Sequence, residues 1–259
     1  MPIDWTADSQ GVFILSDREG SLGIYRQLLD GSPAKPVLVS STLYMRSGRV
    51  SPDGQWITFL GGPKKTSNKL AVYRVSVNGG TPEPIFDAPE NWGESSCTNR
   101  AANFCAYGEF VNDGQELLIT EFDPLKGKGK QLAQVATHPQ DLYFWDLAPD
   151  GSQIAIADSS NSNEVSFIKI PTNETRKVTI TGYDNIASVR FSNDSQSIFS
   201  GVLKGNDAWI VRVGRDGGTS PVMREHFSAP LWGLISPDGR HLAIRSYDKE
   251  ANAWTLEDF

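Results

Sequence analysis

Long apolar runs are missing from this chain. None approaches the roughly 18 residues that a transmembrane helix needs, so we expect no membrane span in this segment. An excess of basic residues is missing as well, because 24 Lys and Arg stand against 31 Asp and Glu and the formal net charge is −7. Nucleic acids are held by clustered Lys and Arg, so this balance argues against a nucleic-acid partner.

Sequence motifs of catalysis are equally absent. The chain contains no G-x-S-x-G nucleophile elbow, Walker loop, H-E-x-x-H pair or EF-hand loop. Its three histidines, His138, His226 and His241, do not lie near the cysteines in sequence, which argues against a zinc site. We therefore predict no catalytic residue, no metal and no cofactor.

Cysteine is rare. Cys97 and Cys105 are the only two, eight positions apart. The repeat described below places them on the first two strands of one sheet, where facing residues come within disulfide distance. A disulfide would favour a periplasmic or other extracytoplasmic compartment over the cytoplasm. Two small buried thiols in a reduced protein are the other interpretation, and the sequence leaves both open.

Turn-forming residues, in contrast, are plentiful. Fifteen prolines and 24 glycines disfavour long helices and suit a chain that turns every dozen residues. The stretch Arg49–Leu60, R-V-S-P-D-G-Q-W-I-T-F-L, predicts two strands joined by a tight turn. Pro52 presets a turn dihedral, Asp53 and Gly54 tolerate positive φ, and the apolar residues that alternate after the turn need a half-buried pleated surface.

This hairpin recurs along the chain. Its turn aspartates are Asp8, Asp53, Asp150, Asp194 and Asp238, separated by 45, 97, 44 and 44 residues, and the longest interval holds two periods with a divergent unit inside. Because each aspartate lies in a tight turn, we expect it to bind main-chain N–H groups there rather than to act as an acid, a base or a metal ligand. A second turn in each repeat gives four strands. A period in the forties built from strands is typical of β-propeller blades.

We therefore predict one all-β domain spanning residues 1–259, a six-bladed β-propeller of four-stranded antiparallel blades. The blades are expected at about 3–41, 45–89, 90–137, 142–181, 186–227 and 229–259. The last blade ends with its third strand, predicted at Ala253–Leu256, and lacks its own fourth strand. Upstream residues of a longer polypeptide are expected to supply that strand. Without them, the open edge would offer a site for self-association.

The repeat also resembles a known family. The form S-P-D-G-x-x-I-A-F, seen at Ser51–Phe59, Ala148–Ile156 and Ser236–Ile244, is similar to the TolB-like propeller repeat rather than to the WD type. The spacing C-x7-C, followed by F-D-P-L-K-G-K-G and the ending N-A-W-T-L-E-D-F, resembles the C-terminal propeller region of bacterial multidomain Ser/Thr kinases or winged-helix regulators. The resemblance implies the propeller fold, with any kinase or DNA-binding activity belonging to other residues.

Candidate binding residues follow from the repeat. Four positions before the turn aspartates, the predicted innermost strands carry Asp4, Arg49, Asp146, Arg190 and Leu234. The charged members either line the central channel and hold a polar ligand or pair between neighbouring blades, since buried charges are normally paired.

Tryptophans on or beside the same strands either pack between blades or reach the channel mouth. The predicted ligand or partner surface accordingly comprises Arg49, Trp92, Trp145, Asp146, Arg190 and Trp232.

Together these features predict a non-enzymatic β-propeller scaffold, the C-terminal part of a larger bacterial signalling protein, that binds a protein or senses a small polar ligand at the channel mouth. The alternative is a propeller domain accessory to an enzyme, as a peptidase cap or a sugar-processing module. A hydrolase domain in the same polypeptide would favour the alternative, and an upstream signalling domain would favour the sensor.

Overall fold

The computed structural model describes residues 1–64, 69–89, 93–158, 163–226 and 230–245, and within them every regular element is a β-strand. No helix in these ranges has the length and apolarity that crossing a membrane requires. Strands that follow one another in sequence pair antiparallel, so each sheet is a simple meander.

Five sheets have four strands each. The first contains β1 (Pro2–Trp5), β2 (Gly11–Ser16), β3 (Gly23–Leu28) and β4 (Lys35–Val39). The second contains β5 (Leu43–Val50), β6 (Trp56–Pro63), β7 (Leu70–Ser76) and β8 (Glu83–Ala88). The third contains β9 (Glu94–Cys97), β10 (Cys105–Val111), β11 (Glu116–Asp123) and β12 (Gly127–Ala136). The fourth contains β13 (Tyr143–Leu147), β14 (Gln153–Asp158), β15 (Glu164–Lys169) and β16 (Thr175–Thr179). The fifth contains β17 (Asn185–Phe191), β18 (Ile198–Lys204), β19 (Asp207–Val213) and β20 (Thr219–Glu225).

A sixth sheet pairs β21 (Trp232–Ile235) with β22 (Leu242–Arg245). The predicted count of six blades with at least three strands each is therefore corrected, because the described residues form five four-stranded blades and one two-stranded sheet. The strand predicted at Ala253–Leu256 lies outside the described residues.

The first strand of each sheet lies innermost, and these strands form a closed ring. Each one contacts the first strand of the sheets before and after it, in the order β1, β5, β9, β13, β17, β21 and back to β1. The last contact is reinforced by hydrogen bonds, since Trp5 Nε1 donates to the Leu234 carbonyl at 2.8 Å and Asp238 N donates to Ser9 Oγ at 3.0 Å. The two-stranded sheet therefore occupies the place between the fifth sheet and the first.

Burial within a sheet follows from this radial arrangement. Second strands such as β14, Q-I-A-I-A-D, are covered by neighbouring sheets on both faces and are buried at four successive positions. The outermost strand β16, T-R-K-V-T, buries only Val178. Apolar clusters accordingly lie between adjacent sheets rather than in one central core, as between sheets four and five or sheets three and four.

The recurring aspartates stabilise their own turns, as the repeat predicts. Ser51 Oγ donates to Asp53 Oδ1 at 2.5 Å, and the same oxygen accepts a hydrogen bond from Gln55 N at 3.0 Å. Equivalent pairs of bonds form at Asp8, Asp194 and Asp238. These carboxylates are spread around one end of the ring and are engaged within single turns.

Candidate functional site

The end of the ring where the first strands begin carries most of the exposed large apolar side chains. Of the seven in the described residues, Met1, Tyr44 and Leu142 lie at or just before the start of β1, β5 or β13, and Val39 ends β4 at the same end of the ring. The four are 39 to 62% exposed. We call these four residues the entrance face. Leu29 and Leu125, in contrast, lie in turns between third and fourth strands at the opposite end.

Two charged residues hold the inner strands of sheets one and two together. Arg49 Nη1 donates to the carbonyl oxygens of Ile3 and Gly48, each at 2.8 Å. In the other direction, Asp4 Oδ2 accepts a hydrogen bond from Val50 N at 2.7 Å. Each side chain thus bonds the main chain of the neighbouring sheet as well as facing the opposite charge.

The same arrangement recurs between sheets four and five. Arg190 Nη1 donates to the carbonyl oxygens of Trp145 and Val189 at 3.1 and 3.3 Å and lies 3.6 Å from Asp146 Oδ1. Asp146 Oδ2 accepts from Phe191 N at 2.8 Å. Because sheets one and two stand opposite sheets four and five in the ring, the two Asp–Arg pairs are related by an approximate twofold axis through the channel.

Burial sets the electrostatics of this centre. It raises the pKa of Asp4, against the opposing effect of the Arg49 charge and of hydrogen bonds from Val50 and Trp5. It also lowers the pKa of Arg49, and the like charge of Arg190 lowers that pKa further, while Asp4, Asp146 and Glu94 raise it. The charges contributed by five different sheets therefore act on one another across the channel.

Arg49, Asp146 and Arg190 lie where the sequence places them, on inner strands at equivalent positions. Of the two alternatives, pairing between neighbouring blades describes the contact of Arg190 with Asp146, while Arg49 and Asp4 bind the main chain of each other's sheet.

The tryptophans behave differently. Trp145 is only 3% exposed, because its indole packs against Gly108 of sheet three, so its prediction as a surface residue is wrong. Trp232 is partly buried beneath the Arg245 guanidinium, 5.0 Å from the ring centre, and Trp92 lies outside the described residues.

Sequence reasoning missed Ser96. This serine of β9 donates to Asp146 Oδ1 at 2.6 Å and accepts from Leu147 N at 3.2 Å, so it connects sheets three and four. It stands at the inner-strand position equivalent to Asp4 and Arg49. The divergent sheet has no turn aspartate from which to count back, but pairing Cys97 with Cys105 would have located it, since Ser96 pairs next with Ala106.

The two cysteines face each other where the first two strands of the third sheet are joined. Cys97 of β9 pairs directly with Cys105 of β10, and their sulfur atoms are bonded. Among the described residues, no three His, Cys, Asp or Glu side chains lie close enough together to hold a metal ion.

No family model matches the sequence, and no curated protein matches it either. Solved structures do match. A protein assigned as TolB in Agrobacterium tumefaciens superposes with a TM-score of 0.71 at 19% identity, covering 95% of this chain and 89% of the other. TolB from Acinetobacter baumannii gives a TM-score of 0.69 at 19% identity, and this match covers 87% of this chain but only 55% of that protein. Oligogalacturonate lyase in complex with manganese gives 0.63 at 13% identity, covering 92% and 68%. The chain therefore has the β-propeller fold of these TolB structures, a fold that an enzyme also uses.

Proposed function

We propose that this β-propeller is a non-enzymatic scaffold that binds a protein partner on its entrance face. The concentration of exposed apolar side chains at one end of the ring carries the proposal. Such side chains cost free energy when they stay in water, and one partner that spans this end of the ring would cover those of sheets one and two together with Leu142 on the opposite side. Tyr44 adds an aromatic ring with a polar tip, a residue type that is enriched among the side chains dominating binding energy.

The inner strands support a rigid scaffold. Asp4, Arg49, Asp146 and Arg190 all bind main-chain groups of a neighbouring sheet, so their charges fasten strands together. A general acid or base must instead reach a substrate proton. The main-chain hydrogen bonds of Asp4 and Asp146 hold both carboxylates in place and so disfavour that role. We further propose that residues 1–259 form one domain and that β21 and β22 are the inner half of a sixth blade.

The proposal also includes an extracytoplasmic location and a larger protein of which this chain is one part. A bonded Cys97–Cys105 pair persists in an oxidising environment, which supports a periplasmic or other extracytoplasmic location. The C-x7-C and F-D-P-L-K-G-K-G motifs support the chain being the propeller region of a larger bacterial signalling protein.

Site-specific photocrosslinking in the cells that make the protein tests the binding face. A photoreactive phenylalanine analogue would replace Tyr44 or Leu142 in one set of variants, and Leu29 or Leu125 in the matched set from the opposite end. We expect a discrete crosslinked species from Tyr44 and Leu142 alone, identified by mass spectrometry. Crosslinking from neither set, or equally from both, would contradict the proposal.

A further inference from the structure

Two arginines face the channel from opposite sides. Arg49 lies on β5 and Arg190 on β17, the second and fifth strands of the six-strand ring. Both stand four residues before their turn aspartate, so they lie at the same depth along the channel. The two guanidinium groups therefore approach the channel axis at the same depth.

In the part of the chain that the structure describes, each guanidinium is anchored through its Nη1 nitrogen. Both hydrogens of Arg49 Nη1 are used by the carbonyls of Ile3 and Gly48, and those of Arg190 Nη1 by the carbonyls of Trp145 and Val189. Within the described residues, no hydrogen bond engages the Nε–Nη2 edge of either residue. That edge carries the two parallel N–H groups that bind a carboxylate bidentately. The Arg190 side chain is 20% exposed, so solvent reaches it.

The nearby carboxylates do not occupy these edges because they have other partners. Asp4 accepts from the main-chain N–H groups of Trp5 and Val50 through its two oxygens. Asp146 accepts from Ser96 Oγ and Phe191 N in the same way. The two aspartates thus stabilise the inner strands and partly neutralise the arginines, and their hydrogen bonds leave the Nε–Nη2 edges of Arg49 and Arg190 facing the channel.

We propose that the channel binds a small dicarboxylate between the open edges of Arg49 and Arg190. One carboxylate group on each guanidinium would satisfy both edges at once. The acidic neighbours Asp4, Asp146 and Glu94 disfavour anions that carry more charge than a dicarboxylate, such as tricarboxylates, since like charges at short distance repel. This site lies inside the ring and is independent of the protein interaction proposed for the entrance face.

Isothermal titration calorimetry on the full chain with malonate, succinate, glutarate and adipate tests the site, with acetate and inorganic phosphate as comparison ligands. We expect one dicarboxylate to bind with 1:1 stoichiometry and at least tenfold more tightly than acetate or phosphate. Arg49→Lys and Arg190→Lys keep the charge but remove the two-pronged edge, so each should weaken binding at least tenfold. Arg240→Lys, in an exposed turn, is the matched control and should bind as wild type does.

A measurement on the wild-type protein avoids any dependence on how the variants fold. Phenylglyoxal modifies accessible guanidinium groups, and peptide mapping by mass spectrometry reports each arginine separately. The best-binding dicarboxylate should protect Arg49 and Arg190 and leave Arg240 unprotected. The proposal would be overturned if none of the four dicarboxylates bound at about 10 mM, a concentration at which even a weak specific site would be occupied. Equal protection of all three arginines would overturn it as well.

Discussion

Asp146 and Arg190 each bind the main chain of the residue next to the other. The carboxylate accepts from Phe191 N, the residue after the arginine, and the guanidinium donates to the carbonyl of Trp145, the residue before the aspartate. Asp4 and Arg49 repeat this exchange, with Val50 N and the Ile3 carbonyl as partners. Two of the interfaces between inner strands are thus fastened by the same reciprocal contact, so the ring should be sensitive to losing either carboxylate.

Replacing Asp146 with alanine tests this dependence. The substitution leaves Phe191 N and Ser96 Oγ buried without their acceptor and Arg190 without its facing charge. We expect the free energy of unfolding to fall by about 3 kcal/mol, the usual cost of breaking a buried ionic contact. Urea unfolding followed by tryptophan fluorescence measures it. Asp17→Ala, at an exposed turn, should change stability by less than about 0.5 kcal/mol, and an equally small effect at Asp146 would refute the fastening role.

The turn aspartates predict how stability depends on pH. The Ser192 hydroxyl and Gln196 N both donate to Asp194 and lower the pKa of its carboxyl group. Because the folded-state pKa lies below the unfolded value of about 4, the stabilisation is present above that pH and is lost as the pH falls through the folded-state pKa. Thr6 and Ser236 lower the pKa values of Asp8 and Asp238 in the same way.

Asp194→Asn should therefore be less stable than wild type at pH 6, and the difference should shrink below about pH 4. Urea unfolding at pH 6, 5, 4 and 3 gives the comparison. Asp113→Asn, which also removes one carboxylate from an exposed turn, controls for the change in net charge. If the Asp194 and Asp113 variants depended on pH identically, the hydrogen bonds in the turn would not be the cause.

Gly201 allows the two-stranded sheet to approach sheet five. A methyl group at this position would lie 2.0 Å from the Leu231 carbonyl oxygen and 2.7 Å from Ser188 Oγ. We expect Gly201→Ala to push β21 away and to lower the free energy of unfolding by about 2 kcal/mol, with faster hydrogen exchange in Trp232–Ile235.

Gly129 provides the matched control for this test. Its nearest neighbour would be the Glu121 carbonyl oxygen at 3.4 Å, an ordinary contact distance, so Gly129→Ala should be nearly neutral. Unchanged exchange in Trp232–Ile235 of the Gly201 variant would show that β21 does not dock at this place.

The cysteines give a prediction that mass spectrometry decides. Cys97 and Cys105 are bonded across the first two strands of sheet three. We expect no alkylation by iodoacetamide in denatured, non-reduced protein and two alkylations after reduction. Because the bond closes a loop of about nine residues, the Cys97→Ala/Cys105→Ala variant should lose about 2 to 3 kcal/mol of stability. Alkylation of both thiols without reduction would instead support the reduced alternative.

The repeat made most of the fold predictable. A turn such as S-P-D-G needs Asp53 to bind Gln55 N, a local requirement that recurs wherever the turn recurs and is therefore visible in one sequence. Where the local requirement changes, prediction failed. Sheet three replaces the short turn with the longer loop Thr98–Phe104. Ser96, the partner of Asp146, was therefore not predicted, because the role of this serine depends on a contact with the neighbouring sheet.

The site was predictable only in part, for the same reason. Arg49, Asp146 and Arg190 share a position in the repeat, and the repeat places them on the inner strands. Whether Trp145 packs or faces solvent depends on Gly108 in another sheet, and no pattern within one repeat records that contact. The exposure of Tyr44 and Leu142 likewise follows from where each first strand begins in the assembled ring.

Binding at the entrance face is tested most directly by the dissociation constant for the partner that crosslinking identifies. Calorimetric titrations would compare wild type with Tyr44→Ser, Leu142→Ser and the opposite-end control Leu125→Ser. We predict at least tenfold weaker binding for the Tyr44 variant, a clear weakening for the Leu142 variant, and wild-type affinity for the Leu125 variant. Equal affinities for all four proteins, or a loss confined to Leu125→Ser, would contradict binding at this face.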